Sequence, residues 1–413
     1  MKRAGLGLLL SVTAALAGCP GPTDAPVDAH DHDHDHGSPV VDAGPIDLSD
    51  ASDAGGYAWP LPPGFPRPVV PADNPMTPEK IELGRHLFYD RRLSDNGTQS
   101  CASCHEQARA FTEPRATSVG STGQAHPRNS MGLANVAYAA TLTWANPLLL
   151  TLEQQALVPM FGREPVELGL AGTEDRLFAR LRAEPRYAAL FPRAFPGGGD
   201  AFTVANVARA LATFERTLIS GRSPYDRQVY GGDPTALSAS AVRGAELFNS
   251  ERLECFHCHN GFNLTDSVNY QGRGSFEARF HNTGLYNVGG AGAYPEPNTG
   301  VFSITGLASD MGRFRAQSLR NVAVTAPYMH DGSVATLGEA IDHYAAGGRT
   351  IASGPNAGVG RESPLRSGFV VGFAVTPEER ADLIAFLESL TDQEFLTNPA
   401  HADPWPSPCV HCE

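Results

Sequence analysis

Positive charge is scarce in this 413-residue chain, which has 31 lysines and arginines against 45 aspartates and glutamates. The formal net charge of −14 argues against a nucleic-acid partner and favours a basic protein partner or simple solubility. Long apolar runs are also scarce. The run Leu6–Leu16 is too short to cross a membrane as a helix, and no other segment has the pattern of a transmembrane helix.

The N-terminus has the pattern of an export signal. Lys2 and Arg3 precede the apolar run, and Leu16-Ala17-Gly18-Cys19 resembles a bacterial lipobox. We therefore expect residues 1–18 to be a lipoprotein signal peptide and the exported protein to be periplasmic. A lipid on Cys19 would be its only attachment to the membrane. Plain secretion after cleavage nearby is the alternative.

Core-forming residues are almost absent from residues 19–73, where aspartate, proline, alanine and glycine dominate. This composition predicts a disordered tether. Four histidines alternate with aspartates in the tract His30–His36. Such a tract can bind Cu(II), Zn or Ni loosely, or it can be a solvated acidic linker, and both interpretations remain open.

Four of the seven cysteines form two Cys-x-x-Cys-His motifs. The motif is typical of covalent c-type haem, because two thiols bond one porphyrin and the histidine becomes the proximal iron ligand. A zinc knuckle would need four clustered ligands, and a redox dithiol would not need a histidine twice. The predicted haem-binding residues are Cys101, Cys104, His105, Cys255, Cys258 and His259.

Two further cysteines lie in the predicted tail, residues 396–413. Cys409-Val410-His411-Cys412 is followed by Glu413 instead of histidine, so it is not a third haem motif. A local disulfide is favoured in an oxidising compartment. A soft-metal site and a contact with a partner remain open.

An internal repeat divides the globular part. Gly84–Phe88 ends a predicted helix before the first haem motif, and Gly244–Phe248 does the same before the second. Strand signals are sparse, and further helix signals cover residues 174–181, 203–219 and 376–390. We predict a mainly α fold with two cytochrome c-like domains, 74–231 and 232–395, each with one covalent haem.

Two sequence blocks carry a resemblance to a known family. One is Ser318–Val322 with Thr325–Gly332, and the other is Leu152–Glu167. Over residues 77–390 the chain resembles the bacterial di-haem cytochrome c peroxidase superfamily, including its MauG-like branch. Two segments are similar to the enzymes paired with a copper-binding protein in methanobactin-type clusters: His126–Met131 and Leu142–Pro147.

The resemblance implies two haem c groups with different tasks. The haem of the first motif would be the peroxide site, where Glu167 would move a proton between the peroxide oxygens. Gln155 would donate a hydrogen bond to peroxide, and Pro159 would shape the pocket. The chain has two more residues between Pro159 and Glu167 than the better-known peroxidases. In the loop 118–129, His126 is expected to contact a haem propionate or solvent rather than iron.

The haem of the second motif would be the electron relay. Its distal ligand would be Tyr344, because MauG-like enzymes have tyrosine where ordinary peroxidases have methionine. A phenolate stabilises oxidised iron. The neighbouring His343 points about 100° away on a helix, so only one of the two can face the iron. Met311 and Met329 are the alternatives if the correspondence is shifted.

Two more features follow from the resemblance. Trp144 would lie between the haems and pass an electron hole, although a tryptophan can also be a core residue. One Ca²⁺ would lie between the domains on Asn135, Thr325 and Pro327, through oxygen ligands that suit this cation. Alternatively, Asn135 and Thr325 only satisfy buried loop backbone.

The favoured function is a secreted di-haem peroxidase that uses hydrogen peroxide to oxidise a protein substrate. The target would be a tryptophan on a copper-binding partner, oxidised through a high-valent two-haem state. One alternative is a cytochrome c peroxidase that removes peroxide with electrons from a small cytochrome or cupredoxin. The other is a non-enzymatic di-haem electron carrier. Gln155 with Glu167 argues against the carrier, and Tyr344 instead of methionine separates the two enzymes.

We predict two covalent haems per chain. Replacing Cys101 and Cys104 together with alanine should remove the peroxide-reactive haem and leave the other one attached, because each thiol pair holds its own porphyrin. Mass spectrometry of the purified protein tests both statements. Fewer than two haems on the native chain would contradict the prediction.

Overall fold

The computed structural model describes residues 56–274 and 276–405. Within these ranges helices dominate, and β1 (Thr350–Ile351) pairs antiparallel with β2 (Gly358–Val359) in a short ribbon. The helices are α1 (Pro78–Tyr89), α2 (Leu152–Phe161), α3 (Glu174–Ala183), α4 (Pro185–Ala194), α5 (Val204–Glu215), α6 (Pro224–Val229), α7 (Ala239–Phe248), α8 (Phe302–Thr305), α9 (Leu337–Ala345), α10 (Pro377–Glu388) and α11 (Gln393–Thr397). The prediction of a mainly α fold is confirmed.

Predicted and observed helices differ where local chemistry competes with the helix. The signal over 203–219 becomes α5, which ends at Glu215. The Thr217 hydroxyl donates to the Phe214 carbonyl at 2.6 Å, a local bond that favours a turn over a further helical residue. α2 and α4 lie outside the predicted helix ranges. Both contain an internal proline, Pro159 and Pro192, which usually indicates a helix end.

The helices before the two haem motifs begin in the same way. The Thr77 hydroxyl accepts a hydrogen bond from the Lys80 N–H at the start of α1, with Pro78 in the first turn. Ser238, rather than Ser240, accepts from the Ala241 N–H at the start of α7. Each cap satisfies one N–H that the helix itself leaves without a partner.

The sequence repeat marks two close helix crossings. A Cβ built at Gly84 of α1 would lie 1.9 Å from the Ala210 carbonyl oxygen of α5. A Cβ built at Gly244 of α7 would lie 1.9 Å from the Asp382 carbonyl oxygen of α10. Both distances are far below van der Waals contact. Only glycine therefore allows the helix before each haem motif to pack this closely on its neighbour.

Separate apolar cores surround the two crossings. The first contains Phe88 of α1 and Phe214 of α5, and the second contains Phe248 of α7 and Phe386 of α10. α6 precedes the predicted boundary at 231, yet its Asp226 forms a buried ion pair with Arg320 at 2.8 Å. Tyr225 of the same helix packs against the second core, so residues on both sides of position 231 contribute to it, and the boundary itself stays a prediction.

The predicted tether is wrong over its last part. Phe65 is fully buried and packs with Tyr138 and Val268. The Tyr138 hydroxyl donates to the Pro66 carbonyl at 2.7 Å. The prediction used the composition of residues 19–73 as a whole, in which a few aromatic and apolar side chains carry little weight. The burial of those few side chains is enough to attach this stretch to the globular part.

The end of the described chain returns to the first core. Phe395 and Leu396 of α11 belong to that core, and the Trp405 indole N–H donates to the His86 carbonyl at 3.1 Å. The predictions for Cys19, for the tract His30–His36 and for Cys409 with Cys412 lie outside the described residues. No helix of residues 56–274 and 276–405 is long and apolar enough to cross a membrane.

The close crossing of α7 and α10 predicts that one added methyl group at Gly244 lowers the stability of the protein. Gly244→Ala should destabilise the protein by about 1–3 kcal/mol, the usual cost of overpacking, because the Asp382 backbone must move. Gly199→Ala is the matched control, since nothing lies within 4 Å of its Cβ position. Thermal unfolding of the haem-loaded proteins measures both. Equal melting temperatures for the two variants would contradict the crossing.

Candidate active site

The first motif lies in a short 3-10 turn, Cys101–Ser103, shortly after α1. His105 Nδ1 lies 2.7 Å from the Phe111 carbonyl oxygen. A carbonyl can only accept, so Nδ1 carries the hydrogen and Nε2 keeps its lone pair. This second bond orients the ring and fixes the tautomer in the way typical of metal-binding histidines.

The second motif repeats this arrangement. Its 3-10 turn covers Cys255–His257, and His259 Nδ1 lies 3.2 Å from the Leu264 carbonyl oxygen. A phenylalanine in the last turn of the preceding helix lies beside each imidazole, with ring centres 6.5 Å apart for Phe88 and His105 and 6.4 Å apart for Phe248 and His259. Each imidazole is thus held by one carbonyl and one aromatic ring.

A large apolar cavity opens at the second motif. Both thiols and His259 line it, and so do aliphatic and aromatic side chains from α9, α10 and the neighbouring loops, including Leu319, Ile341, Phe373, Leu383 and Leu387. The four motif cysteines are free thiols. Free thiols, an imidazole with an open Nε2 and apolar walls fit a covalently attached haem.

The structure separates the two candidates for the distal ligand of the second haem. Tyr344 lines the cavity beside His259. Burial, and then the nearby Cys258 and Cys255, raise the pKa of Tyr344. His343 points elsewhere, because its Nε2 donates to the Thr283 carbonyl at 3.0 Å. Of the two neighbours, Tyr344 lines the cavity and His343 does not, and the role of Tyr344 as distal ligand stays a prediction.

The two alternative methionines lie in a different environment. Met311 and Met329 both pack against an aromatic cluster around Tyr294 and Phe314. Met329 also lines the cavity, at a backbone φ of 69°. Neither lies on α9, the helix that carries Tyr344.

Arg315 is a site residue that the sequence did not indicate. It is buried in the cavity wall and donates to the Thr143 carbonyl at 3.2 Å and to the Gln317 side-chain oxygen at 3.2 Å. Burial lowers the pKa of Arg315 to about 10, so it remains charged at neutral pH. A buried cation that pairs with neutral oxygens suits an anionic group in the cavity, such as a haem propionate.

Trp144 lines the same cavity and is held in one orientation. Its indole N–H donates to the Asn129 carbonyl at 2.8 Å, and the Asn129 N–H donates to the His330 carbonyl at 2.8 Å. The Trp144 ring lies 6.4 Å from the His330 ring. Asn129 therefore joins the tryptophan to the segment Thr325–Gly332, a connection that the sequence left unassigned.

The residues predicted to line the peroxide pocket lie where the chain folds back on α2. Gln155 and Pro159 lie on this helix, both half-buried. The Leu168 N–H donates to the Pro159 carbonyl at 2.9 Å. This bond brings Glu167 back to the end of α2 despite the two additional residues in the intervening loop.

Glu167 lies close enough to the first motif to influence the charge of its thiols. Burial raises the pKa of the Cys101 thiol, and the nearby carboxylates of Glu215 and Glu167 raise it further. Glu167 therefore lies within electrostatic range of that thiol. Burial also raises the pKa of Glu167 itself to about 7, although 34% of its side chain remains exposed. A carboxyl with this pKa can both take up and release a proton near neutral pH.

His126 lies beside Glu167 and not merely at the surface. Its Nε2 is 3.7 Å from the Glu167 carboxylate, and its Nδ1 lies 3.1 Å from the Arg128 N–H nitrogen. The loop that carries it is fixed by a bond from the Ser121 N–H to the Glu167 carbonyl at 2.7 Å. The expected propionate contact stays a prediction. The neighbour of His126 could not be read from the sequence, because it depends on how this loop folds.

The three residues predicted to hold calcium line one cavity. The Asn135 side-chain oxygen accepts from the Ser220 N–H at 2.7 Å, and its amide donates to the Ser220 carbonyl and to Asn263. The Thr325 hydroxyl donates to the Val322 carbonyl at 3.0 Å. Asn135 and Thr325 thus have structural roles that need no ion, and the calcium site stays a prediction.

Comparison with known proteins agrees with this geometry. A family model described as di-haem cytochrome c peroxidase matches residues 78–234. A cytochrome c peroxidase of Denitromonas iodatirespirans is 36% identical over 383 residues, 86% of this chain and 92% of the relative. The methylamine utilization protein MauG of Methylorubrum extorquens is 34% identical over 78% of this chain and 80% of its own. A solved MauG-like protein associated with microbial copper homeostasis is 50% identical, with a TM-score of 0.83, and covers 85% of this chain and all of its own.

Neighbouring residues on α9 provide a matched pair of variants. Tyr344→Phe should change the optical and electron paramagnetic resonance (EPR) spectra of the haem on His259, because the phenol oxygen is removed from the cavity. His343→Gln should leave those spectra unchanged, because the amide can still donate to the Thr283 carbonyl. Unchanged spectra for Tyr344→Phe, at full haem content, would contradict the assignment.

Proposed function

Because the chain belongs to the di-haem cytochrome c peroxidase family, an enzyme family with two haem c groups, we propose that it uses hydrogen peroxide to oxidise a partner protein. The proposed target is a tryptophan on a secreted, copper-binding protein. The observation that carries this choice is Tyr344, whose phenol lies in the cavity beside His259. The 50% identity to a MauG-like protein associated with copper homeostasis supports it.

The chain's own residues provide the proton chemistry. Haem c on the first motif would supply the iron that takes oxidising equivalents from peroxide. Glu167, with a pKa of about 7, accepts the proton from the attacking oxygen of peroxide and returns it to the leaving oxygen, which departs as water. Gln155 donates a hydrogen bond that holds peroxide on the side of Glu167.

Electron transfer between the motifs requires a group that can be oxidised in place. Trp144 lies in the wall of the cavity of the second motif, fixed by its bond to Asn129. Its indole gives up an electron toward the first motif and regains one from the second. Tyr344 would hold the iron of the haem on the second motif as an anionic oxygen ligand, and such a ligand stabilises oxidised iron. Oxidised iron is what the oxidation of a protein side chain would require.

A second candidate is peroxide removal with electrons from a small cytochrome or cupredoxin. The relative from Denitromonas iodatirespirans, which is named a cytochrome c peroxidase, favours it. Oxidation of a partner requires no external electron donor, whereas peroxide removal requires one. Peroxide turnover with and without a reduced small cytochrome therefore separates the two functions.

Two further parts of the proposal concern the setting of the enzyme. We propose export with a lipid anchor on Cys19, which metabolic labelling with a fatty acid would test.

One Ca²⁺ on Asn135, Thr325 and Pro327 is proposed to couple the domains. Unchanged turnover after verified calcium removal would refute it.

The function is tested with a secreted, tryptophan-containing, copper-binding protein as the substrate. The full-length haem-loaded enzyme, this protein and peroxide are incubated, and peptide mass spectrometry looks for oxygen added to tryptophan. Tyr344→Met serves as the comparison, since it keeps both haem motifs. Tryptophan oxidation by the native enzyme but not by Tyr344→Met supports the proposal. Equal oxidation by both overturns the role of the tyrosine.

The role of Glu167 predicts a pH dependence. The carboxylate is the form that accepts a proton, so the rate of reaction with peroxide should rise as pH increases through about 7. Glu167→Gln should flatten this rise and slow the reaction by roughly 10²–10⁴. Glu164→Gln, at an exposed position of the same loop, should change neither. Stopped-flow absorbance measures the rates. A Glu167→Gln variant with the native pH profile would contradict the role.

A further inference from the structure

An aromatic cluster surrounds the buried imidazole of His330. Its ring stacks on Phe314 with centres 3.7 Å apart, and the imidazole is only 4% exposed. Three oxidisable rings lie around the same imidazole, with centres at 6.4 Å for Trp144, 6.0 Å for Tyr294 and 6.5 Å for Tyr286. The proposed function uses Trp144 but neither tyrosine.

His330 acts as a neutral spacer within this cluster. Burial lowers the pKa of His330 to about 4, so the ring carries no charge at neutral pH. Its Nε2 has no hydrogen-bond partner. The two tyrosine rings also contact each other directly, with centres 5.4 Å apart. Trp144 is therefore connected to both tyrosines through close ring contacts, without an intervening charge.

The two tyrosines differ in where their hydroxyl protons can go. The Tyr286 hydroxyl donates to the Asp331 carboxylate at 2.6 Å. The Tyr294 hydroxyl donates to the amide oxygen of Asn282 at 2.9 Å and accepts from the Leu285 N–H. A phenol loses its proton when it is oxidised, and a carboxylate can take that proton whereas an amide oxygen cannot. Only Tyr286 has a proton acceptor in place.

Tyr286 also lies where the cluster reaches the surface. It is half-buried, whereas Tyr294 is 4% exposed. The Arg349 guanidinium lies over the Tyr286 ring at 4.5 Å and 3.7 Å from Asp331, and the exposed Ser333 donates its N–H to the same carboxylate. These two contacts stabilise Asp331 as the anion, the form that accepts a proton.

We propose that Tyr286 is a redox-active residue that carries an oxidising equivalent from Trp144 to the protein surface. Trp144, oxidised by one electron in the peroxide reaction, regains that electron from the Tyr286 ring. The Tyr286 hydroxyl proton moves to the Asp331 carboxylate. The products are neutral Trp144, a neutral tyrosyl radical and a protonated Asp331. A one-electron donor in solution reduces the radical, and the proton returns from Asp331.

This route lets oxidising equivalents leave the protein at a second place. That place is the surface formed by Tyr286, Ser333 and Arg349, which is separate from the cavity of the second motif. It serves small one-electron donors such as ascorbate and discharges the enzyme when no protein substrate is bound. The inference rests on the proposed oxidation of Trp144 by the peroxide reaction, so its test records the haem response and the tyrosyl radical separately.

The experiment uses the full-length, haem-loaded protein mixed with peroxide without a partner and freeze-quenched for EPR. A tyrosyl signal that narrows on ring deuteration of tyrosine is expected. It should be lost in Tyr286→Phe and fall at least about tenfold in Asp331→Asn, which cannot accept the proton. Tyr270→Phe, a half-buried tyrosine in another cluster, should keep the full signal. Ascorbate oxidation should fall with the radical.

Each outcome supports or overturns the inference. An undiminished tyrosyl signal in Tyr286→Phe overturns the route and leaves the proposed function standing. An absent haem optical response to peroxide in the native protein overturns both. A spin trap on the native protein, located by peptide mass spectrometry, decides the matter if Tyr286→Phe loses haem. The adduct on Tyr286 supports the route, and an adduct on other residues alone overturns it.

Discussion

Close packing at two glycines supports every other part of this structure. Where α1 crosses α5 and α7 crosses α10, no side chain larger than hydrogen fits at Gly84 or Gly244. Each crossing fixes the helix that leads into a Cys-x-x-Cys-His turn. The imidazoles of His105 and His259 are then oriented by bonds from Nδ1 to a carbonyl, which leaves Nε2 available to iron. A flat cofactor attached through two thiols needs such a rigid base, because the thiols alone would let it rotate.

The wall of the cavity at the second motif combines groups that a simple core would exclude. Arg315 is buried against neutral oxygens, and His330 is buried with one nitrogen lacking a partner. Both arrangements cost free energy in an apolar interior. Their position beside Trp144 gives this cost a functional explanation. An anionic cofactor edge would neutralise Arg315, and the uncharged His330 imidazole adds no charge between Trp144 and the tyrosine rings. Tyr286 with Asp331 extends that cluster to the surface.

The predictions succeeded where chemistry is local and failed where it depends on folding. The helix before each haem motif could be identified because capping residues and apolar spacing act over a few residues. The tether prediction failed at Phe65, because composition averages over a whole segment, whereas the burial of one aromatic ring is enough to order the residues around it. The sequence did not indicate that His126 lies 3.7 Å from Glu167, because this position depends on the Ser121 N–H, which fixes the loop; the expected propionate contact stays a prediction.

The sequence by itself indicated the elements of the chemistry: two motifs typical of covalent haem attachment, a repeated glycine ahead of each, and Tyr344 as a candidate iron ligand. These depend on residue types and short spacings, which a chain carries without its fold. Only the tertiary structure decided that Tyr344, and not His343, lines the cavity. It also decided that a buried cation, Arg315, lies in the wall of that cavity, and that Tyr286 has a carboxylate within hydrogen-bonding distance. Those choices arise between segments far apart in sequence, because packing, not spacing, brings Tyr286 to Asp331 and Arg315 to Thr143.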